Sequence, residues 1–187
     1  MSAYRKLTPA DSDEILRHLL RLDPIDRRCR FHAAASDEAV AEHVRKIDWL
    51  RTHLIGSFQG GKLRGLAELA YERLWMPREA ELAVTVEAPW RQRGVATQLV
   101  RRAAETARNR GINTLTMLCL TDNQPMRRIA ARLSGKLLLE DGQIESQVGL
   151  PEPTPISFMI EAMERACDSY EAFADDWLAD AAINARH

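Results

Sequence analysis

The run Glu81-Leu82-Ala83-Val84-Thr85-Val86-Glu87-Ala88-Pro89-Trp90-Arg91-Gln92-Arg93-Gly94-Val95-Ala96-Thr97-Gln98-Leu99 holds three structural signals in succession. Residues 81–86 alternate strictly, with Leu82, Val84 and Val86 on one face and Ala83 and Thr85 on the other, which predicts a half-buried strand. Pro89 ends that strand, and a basic loop with one glycine, Gly94, follows. A helix of about 15 residues comes next. Leu99, Val100, Ala103, Ala104 and Ala107 line its inner face, while Arg101, Arg102, Glu105 and Arg108 line the outer one. Gly111 is placed to cap its C-terminus.

Working outward, residues 54–58 and 62–71 read as two strands joined by Gly60-Gly61. Residues 3–7 form a short first strand, and Thr8-Pro9 opens a helix whose apolar stripe is Ile15, Leu16, Leu19, Leu20 and Leu22. Ser36 starts a second helix, with Asp37 and Glu38 in its first turn and Val40, Val44 and Ile47 facing inward. Downstream, a strand over 114–120 leads through Asp122-Asn123 into a helix carrying Met126, Ile129, Ala130 and Leu133. Residues 136–140 and 143–150 make a closing hairpin around Asp141-Gly142. Pro151-Glu152-Pro153-Thr154-Pro155 is a linker, after which Ile156, Met159, Ile160, Met163, Tyr170, Phe173 and Trp177 recur at helical spacing. The expected organisation is a domain over 1–150 and, over 151–187, a Pro-rich linker with an amphipathic helix. That helix packs on the domain or on a partner subunit, so a homodimer is one of its two uses.

The chain has 187 residues, 45% hydrophobic and 28% charged, which suits one globular α/β domain with a terminal appendage. A formal net charge of -1 gives no whole-molecule attraction to nucleic acid or to anionic membrane. No apolar run approaches the roughly 20 residues that span a bilayer. Residues 1–6 lack the apolar stretch of a signal peptide. Cys29, Cys119 and Cys167 form neither a CxxC pair nor a disulfide framework, so a reducing, cytoplasmic setting is expected. The histidines form no HExxH or comparable pattern, and no metal is expected.

The loop between strand and helix is where chemistry is expected. The first amides of a helix point outward at the positive end of its dipole, and together with a basic glycine loop they make an anion site. Gly94 permits close backbone approach, Ala96 leaves room for a bulky phosphate group, and Arg91 and Arg93 add charge. The loop is not a P-loop, because GxxxxGK[ST] is absent, nor a Rossmann loop, because GxGxxG is absent.

The alternating strand, proline-aromatic turn, Arg91-x-x-Gly94-x-Ala96 loop and following helix resemble the central motif of the GNAT superfamily of N-acetyltransferases. Leu120-Thr-Asp-Asn123-Gln-Pro-Met126 resembles that family's second motif. The resemblance is nearest to the bacterial protein-lysine acetyltransferase branch. It implies a mixed central sheet flanked by helices, here with an extra C-terminal helix, and acetyl-CoA as co-substrate. It further implies that Val84, Thr85 and Val86 border the pantetheine arm, that Arg91, Gln92, Arg93, Gly94, Val95, Ala96 and Thr97 hold the pyrophosphate, and that Asn123 lies near the sulfur.

Acetylating a primary amine, on a protein lysine or a small molecule, requires its neutral form. For lysine at neutral pH, deprotonation costs roughly 4 to 5 kcal/mol. Glu81, at the start of the alternating strand, is the first candidate base; its place resembles that of the catalytic glutamate in the same branch. Glu68 is the second, and Glu72 and Glu87 follow. Many GNAT enzymes carry a tyrosine acid seven residues after the motif asparagine, where this chain has Ala130. That departure keeps a second reading in view, a non-catalytic acyl-CoA sensor or interaction module. Asp23-Pro24-Ile25-Asp26-Arg27-Arg28-Cys29-Arg30-Phe31 resembles a segment that lies near the acceptor side in the same branch; its charges either select an acceptor or belong to a solvated turn between helices.

Overall fold

Seven strands form one sheet in the order β1-β2-β3-β4-β5-β7-β6. They are β1 (Ala3–Lys6), β2 (Thr52–Gln59), β3 (Lys62–Ala70), β4 (Glu79–Val86), β5 (Thr114–Leu120), β6 (Lys136–Glu140) and β7 (Gln143–Gly149). The structure is a computed structural model that describes residues 3–31, 33–120, 128–129, 131, 136–140, 143–164 and 166–168; for 118–120, 136–140 and 143–145 it describes the backbone course alone. Every neighbouring pair is antiparallel except β4 and β5, which run parallel. The turn between β2 and β3 needs left-handed backbone at two successive residues, and Gly60 (φ 58°) and Gly61 (φ 70°) supply it.

Helices cover both faces. On one lie α1 (Ser12–Leu20), α2 (Pro24–Phe31) and α3 (Asp37–Arg45), over a core that includes Ile15, Leu19, Val40, Val44, Leu54, Leu63 and Leu66. On the other lies α4 (Val95–Asn109), over Ala67, Leu69, Leu82, Leu99, Val100, Ala103 and Leu115. α4 seats so closely on β3 that a Cβ at Gly65 would stand 3.0 Å from the side chains of Leu99 and Val95. α4 ends where the sequence signal puts it. Gly111 takes φ 79°, its N–H donates to the Arg108 carbonyl at 2.9 Å, and the Ile112 N–H donates to the Ala107 carbonyl at 3.1 Å. This is the two-bond Schellman stop.

α2 departs from expectation. The stretch read as a turn is two helical turns long, with Pro24 first and the Asp23 carboxylate accepting the Asp26 N–H at 2.8 Å. Asp-Pro is a helix-start signal, and Pro at the first position sacrifices no hydrogen bond there.

Residues 155–164 and 166–168 are helical, and this extra C-terminal helix, α5, lies along α4. Its polar side makes the contact. Asn109 donates to the Ser157 carbonyl at 3.1 Å and to Glu161 at 2.7 Å. Arg101 donates to Glu164 and Arg102 to Asp168, both at 2.6 Å. The apolar stripe expected to pack therefore faces outward at Ile156, Met159, Ile160 and Met163. Tyr170, Phe173 and Trp177 lie outside the described residues. Among the described residues, no helix is long and apolar enough to cross a membrane.

Candidate active site

β4 and β5 share register only over Glu79–Glu81 with Thr114–Thr116. The start of this pair is stitched by the Arg78 carbonyl, which accepts N–H groups of Asn113 and Thr114 at 2.9 and 3.0 Å. Beyond Glu81 the strands separate. β4 remains paired with β3 on its other side as far as Val86, and β5 with β7 as far as Leu120. A wedge results, lined by the backbone edge of residues 82–86, which has no strand partner among the described residues, with Glu81 on the last shared rung at its apex. An extended ligand bearing amides can bond such an edge as an added strand would.

The wedge opens toward the loop that precedes α4. Gln92 and Gly94 both take left-handed backbone, φ 59° and 79°. A Cβ placed on Gly94 would meet nothing within 4 Å, so the glycine serves conformation and leaves open space above it. The first bond within α4 runs from the Gln98 N–H to the Gly94 carbonyl at 3.0 Å. Val95, Ala96 and Thr97 therefore carry amides with no acceptor inside the helix. The first turn has no acidic side chain to offset the dipole. The loop thus has donors, positive potential and room, which fits a pyrophosphate.

The loop arginines have distinct roles. Arg93 stacks its guanidinium over Trp90, 4.9 Å from the ring centroid, and Arg64 stacks over the same ring at 5.7 Å. Arg91 donates through Nε to the Val86 carbonyl at 3.0 Å and pairs with Asp26 of α2. It thereby ties the loop to α2.

On the α1–α3 face, β4 presents Glu81, Ala83 and Thr85, followed by Glu87. Glu81 is exposed, and no hydrogen bond or ion pair joins its carboxylate to another described residue. Glu68 of β3, in register with Ala83, is enclosed instead. Its Oε2 accepts from Arg30 at 2.6 Å and lies 3.2 Å from His43 Nε2. Burial alone would raise the Glu68 carboxyl, but the His43 hydrogen bond and the Arg30 charge outweigh it and hold the group at about 2. Such a carboxylate has little proton affinity to offer an incoming ammonium.

Glu87 is bound still more fully. His18 Nδ1 lies 3.1 Å from Oε1, Arg21 Nε donates to the same oxygen at 2.8 Å, and Arg64 donates to Oε2 at 2.7 Å. Burial pushes this carboxyl up as well, and hydrogen bonds from His18, Arg21 and Arg64 bring it down to about 2. A carboxylate only accepts, so His18 Nδ1 carries hydrogen, and in the neutral ring Nε2 accepts from the Thr85 hydroxyl at 2.9 Å. The Thr85 side chain is thus committed to α1, leaving its backbone for the wedge. The order hydroxyl–imidazole–carboxylate matches a nucleophile relay, but all three groups are buried and two arginines hold the carboxylate, so it serves as a clamp between α1 and the end of β4.

Of the residues named from the sequence, Val84, Thr85 and Val86 border the wedge, residues 91–97 form its mouth, and Glu81 stands at its apex. Glu68 lies one strand over in its own ion cluster. Asn123 and Ala130 fall outside the described residues. His18, Arg21 and His43 were not anticipated, while Asp26 and Arg30 belong to the 23–31 run whose charges were read without their partners. His18 could have been: it falls between Ile15 and Leu19 on the buried stripe of α1, and a histidine there needs a buried partner.

Residues 16–135 match the Acetyltransferase (GNAT) family. Among solved structures, the chain is similar to the GNAT domain of S. lividans PAT, with 22% identity, a TM-score of 0.69, and 79% of this chain and 89% of that chain covered. It is similar to yncA, a putative acetyltransferase from Salmonella typhimurium described with its cofactor acetyl-CoA, with 15% identity, a TM-score of 0.62, and 82% and 96% covered. It is also similar to a cAMP-binding acyltransferase from Mycobacterium smegmatis, with 20% identity and a TM-score of 0.59, over 91% of this chain and 52% of that one. At these identities the likeness to the three structures is one of fold.

Proposed function

Since the chain belongs to the GNAT acetyltransferase family, we propose that it moves an acetyl group from acetyl-CoA directly to a primary amine, with Glu81 as the general base. The carrying observation is the wedge, which closes on the Glu81 carboxylate and opens on the helix amides at 95–97, both without partners among the described residues. Bound there, acetyl-CoA supplies the activated thioester.

The chain's own groups divide the remaining work. Amides of residues 95–97, with the Gly94 backbone, hold the pyrophosphate. The backbone edge over 82–86 bonds the pantetheine amides and fixes the thioester near the apex. Strand N–H groups at the apex polarise its carbonyl as charge develops on the oxygen. The amine enters from the α1–α3 face, where Glu81 takes its proton directly or through one water; Glu81 is in reach of solvent and can pass that proton on. The nitrogen then forms the new amide bond and gives up its second proton, the carbon–sulfur bond breaks, and the CoA thiolate leaves and takes up that proton through water.

The acceptor is a protein lysine or a small-molecule amine, and a mixed panel of amines and lysine peptides discriminates them. CoA-thiol release from acetyl-CoA is measured for the wild type and for Glu81→Gln. Amine-dependent release that falls ten-fold or more in the variant, with acetyl-CoA binding kept, is the expected outcome. Release unchanged by the substitution removes Glu81 from the role.

A further inference from the structure

Arg64, Arg91 and Arg93 surround Trp90 and the loop after it, and the first two are already committed. Arg64 donates to Glu87 at 2.7 Å, and Arg91 donates to the Val86 carbonyl at 3.0 Å and pairs with Asp26. Arg93 is exposed, and no hydrogen bond or ion pair joins its guanidinium to another described residue. It is nevertheless placed. Its guanidinium stands 4.9 Å from the centroid of Trp90, a half-buried ring that packs against the core beneath α4. The backbone between the two loop arginines shows why they part. Gln92 takes φ 59° and is one of two non-glycine residues with positive φ among the described residues, Met76 being the other. Side chains rarely adopt that conformation, and where one is held in it, a function is the first explanation to test. Here it turns the chain, so that Arg91 reaches back to the strand end and α2 while Arg93 lies outward over Trp90.

CoA carries two kinds of phosphate. The pyrophosphate spreads its charge over two phosphorus centres within the chain of the molecule, and the partial charges of helix amides suit it. The remaining phosphate is a monoester on the 3′-oxygen of the ribose, and such monoesters carry about −1.5 to −2 charges at neutral pH. That group calls for a full cation with several donors, and a guanidinium supplies both. Position agrees with charge. With the thioester at the apex and the pyrophosphate on the amides of 95–97, the ribose lies outside the mouth of the wedge, on the solvent side where Arg93 stands.

We propose that Arg93, braced on Trp90, binds the 3′-phosphate of the coenzyme's ribose, so that the protein selects CoA over 3′-dephospho-CoA. This rests on the acetyl-CoA reading of the wedge and gives Arg93 a task apart from the pyrophosphate, to which its place in the loop motif alone would send it. The brace matters because an arginine loose in solvent must be ordered when it binds, and one already laid on a ring loses less freedom. Stacking uses the flat face of the guanidinium and leaves its N–H fork for the phosphate oxygens.

Calorimetric titration of the full chain with CoA and with 3′-dephospho-CoA tests this without turnover. The wild type is expected to bind CoA at least about ten-fold more tightly than 3′-dephospho-CoA. In Arg93→Gln the two ligands should bind alike, at the affinity the wild type shows for 3′-dephospho-CoA. The thermal midpoint of that variant should not move, since the side chain is exposed. Trp90→Leu should keep part of the preference, because the charge stays and the brace goes. A wild type that binds both ligands equally overturns the proposal. So does an Arg93→Gln variant that weakens both by the same factor, which would return Arg93 to the pyrophosphate. If the wild type binds neither ligand, the acetyl-CoA reading of the wedge fails and this inference fails with it.

Discussion

β4 has two faces made from alternate residues of one strand. Ala80, Leu82, Val84 and Val86 pack against the core beneath α4, and any well-fitting apolar side chain would satisfy the demand there. Glu81, Thr85 and the following Glu87 look the other way, into the region of α1–α3, and each has a specified environment. Glu81 has open solvent, Thr85 has His18, and Glu87 has His18, Arg21 and Arg64. One face is set by volume and the other by partners. The strand can therefore be anchored by its first set of residues and do chemistry with its second.

Glu81→Gln should separate the faces most sharply, lowering kcat/KM by about 10²–10⁴-fold while the thermal midpoint stays in place, because the side chain is exposed and unpaired among the described residues. A midpoint that falls along with activity would mean that the two faces are not independent. The neighbouring Leu82→Ala should do the converse. Leu82 is 1% exposed, and its truncation is expected to cost about 2–5 kcal/mol in a urea melt.

Acid should act on the partnered face alone. Glu68 and Glu87 sit near 2 in the folded chain against an ordinary 4.5, so between those values the unfolded chain binds more protons than the folded one. The stability these groups give is present above about 4.5 and is lost as pH falls toward 2. Thermal midpoints recorded across that window should show a shallower acid slope in the Glu68→Gln, Glu87→Gln double variant than in the wild type. The smallest effect belongs to the loop. Gly94→Ala places a side chain on backbone at φ 79° with nothing nearby to clash, so stability should fall by only about 1 kcal/mol. Calorimetric titration with CoA should nevertheless show weaker binding, because the new methyl occupies the space above the helix amides.

The volume-governed face was legible from period alone: Leu82, Val84 and Val86 alternate, and the helix stripe from Leu99 to Ala107 follows at 3.6-residue spacing. The loop was legible as well, since Gly94 and its basic neighbours precede a helix start. What escaped was the set of partners. That Glu68 meets Arg30 and His43, or that Glu87 meets His18 and Arg21, depends on helices crossing the sheet from 25 to 69 residues away in sequence. Periodicity carries no information about such crossings. Two carboxylates that read alike as candidate bases, Glu81 and Glu68, became distinguishable only once their surroundings were placed. α2 escaped for a simpler reason: charge made Asp26-Arg27-Arg28 look like a loop, although Asp23-Pro24 announced a helix.

The separation of β4 from β5 also concerns the chain before any ligand arrives. Most sheets keep their edges at the margin, where charges, prolines or bulges blunt them against unwanted pairing. Here two edges face each other inside the domain, and the proposed binding of acetyl-CoA uses one of them as it stands. Any extended segment that reaches the wedge, from a misfolded neighbour or from the chain itself, finds the same row of hydrogen-bonding groups that pantetheine would find. On the proposed reading, acetyl-CoA laid along that edge covers it as well as reacting there.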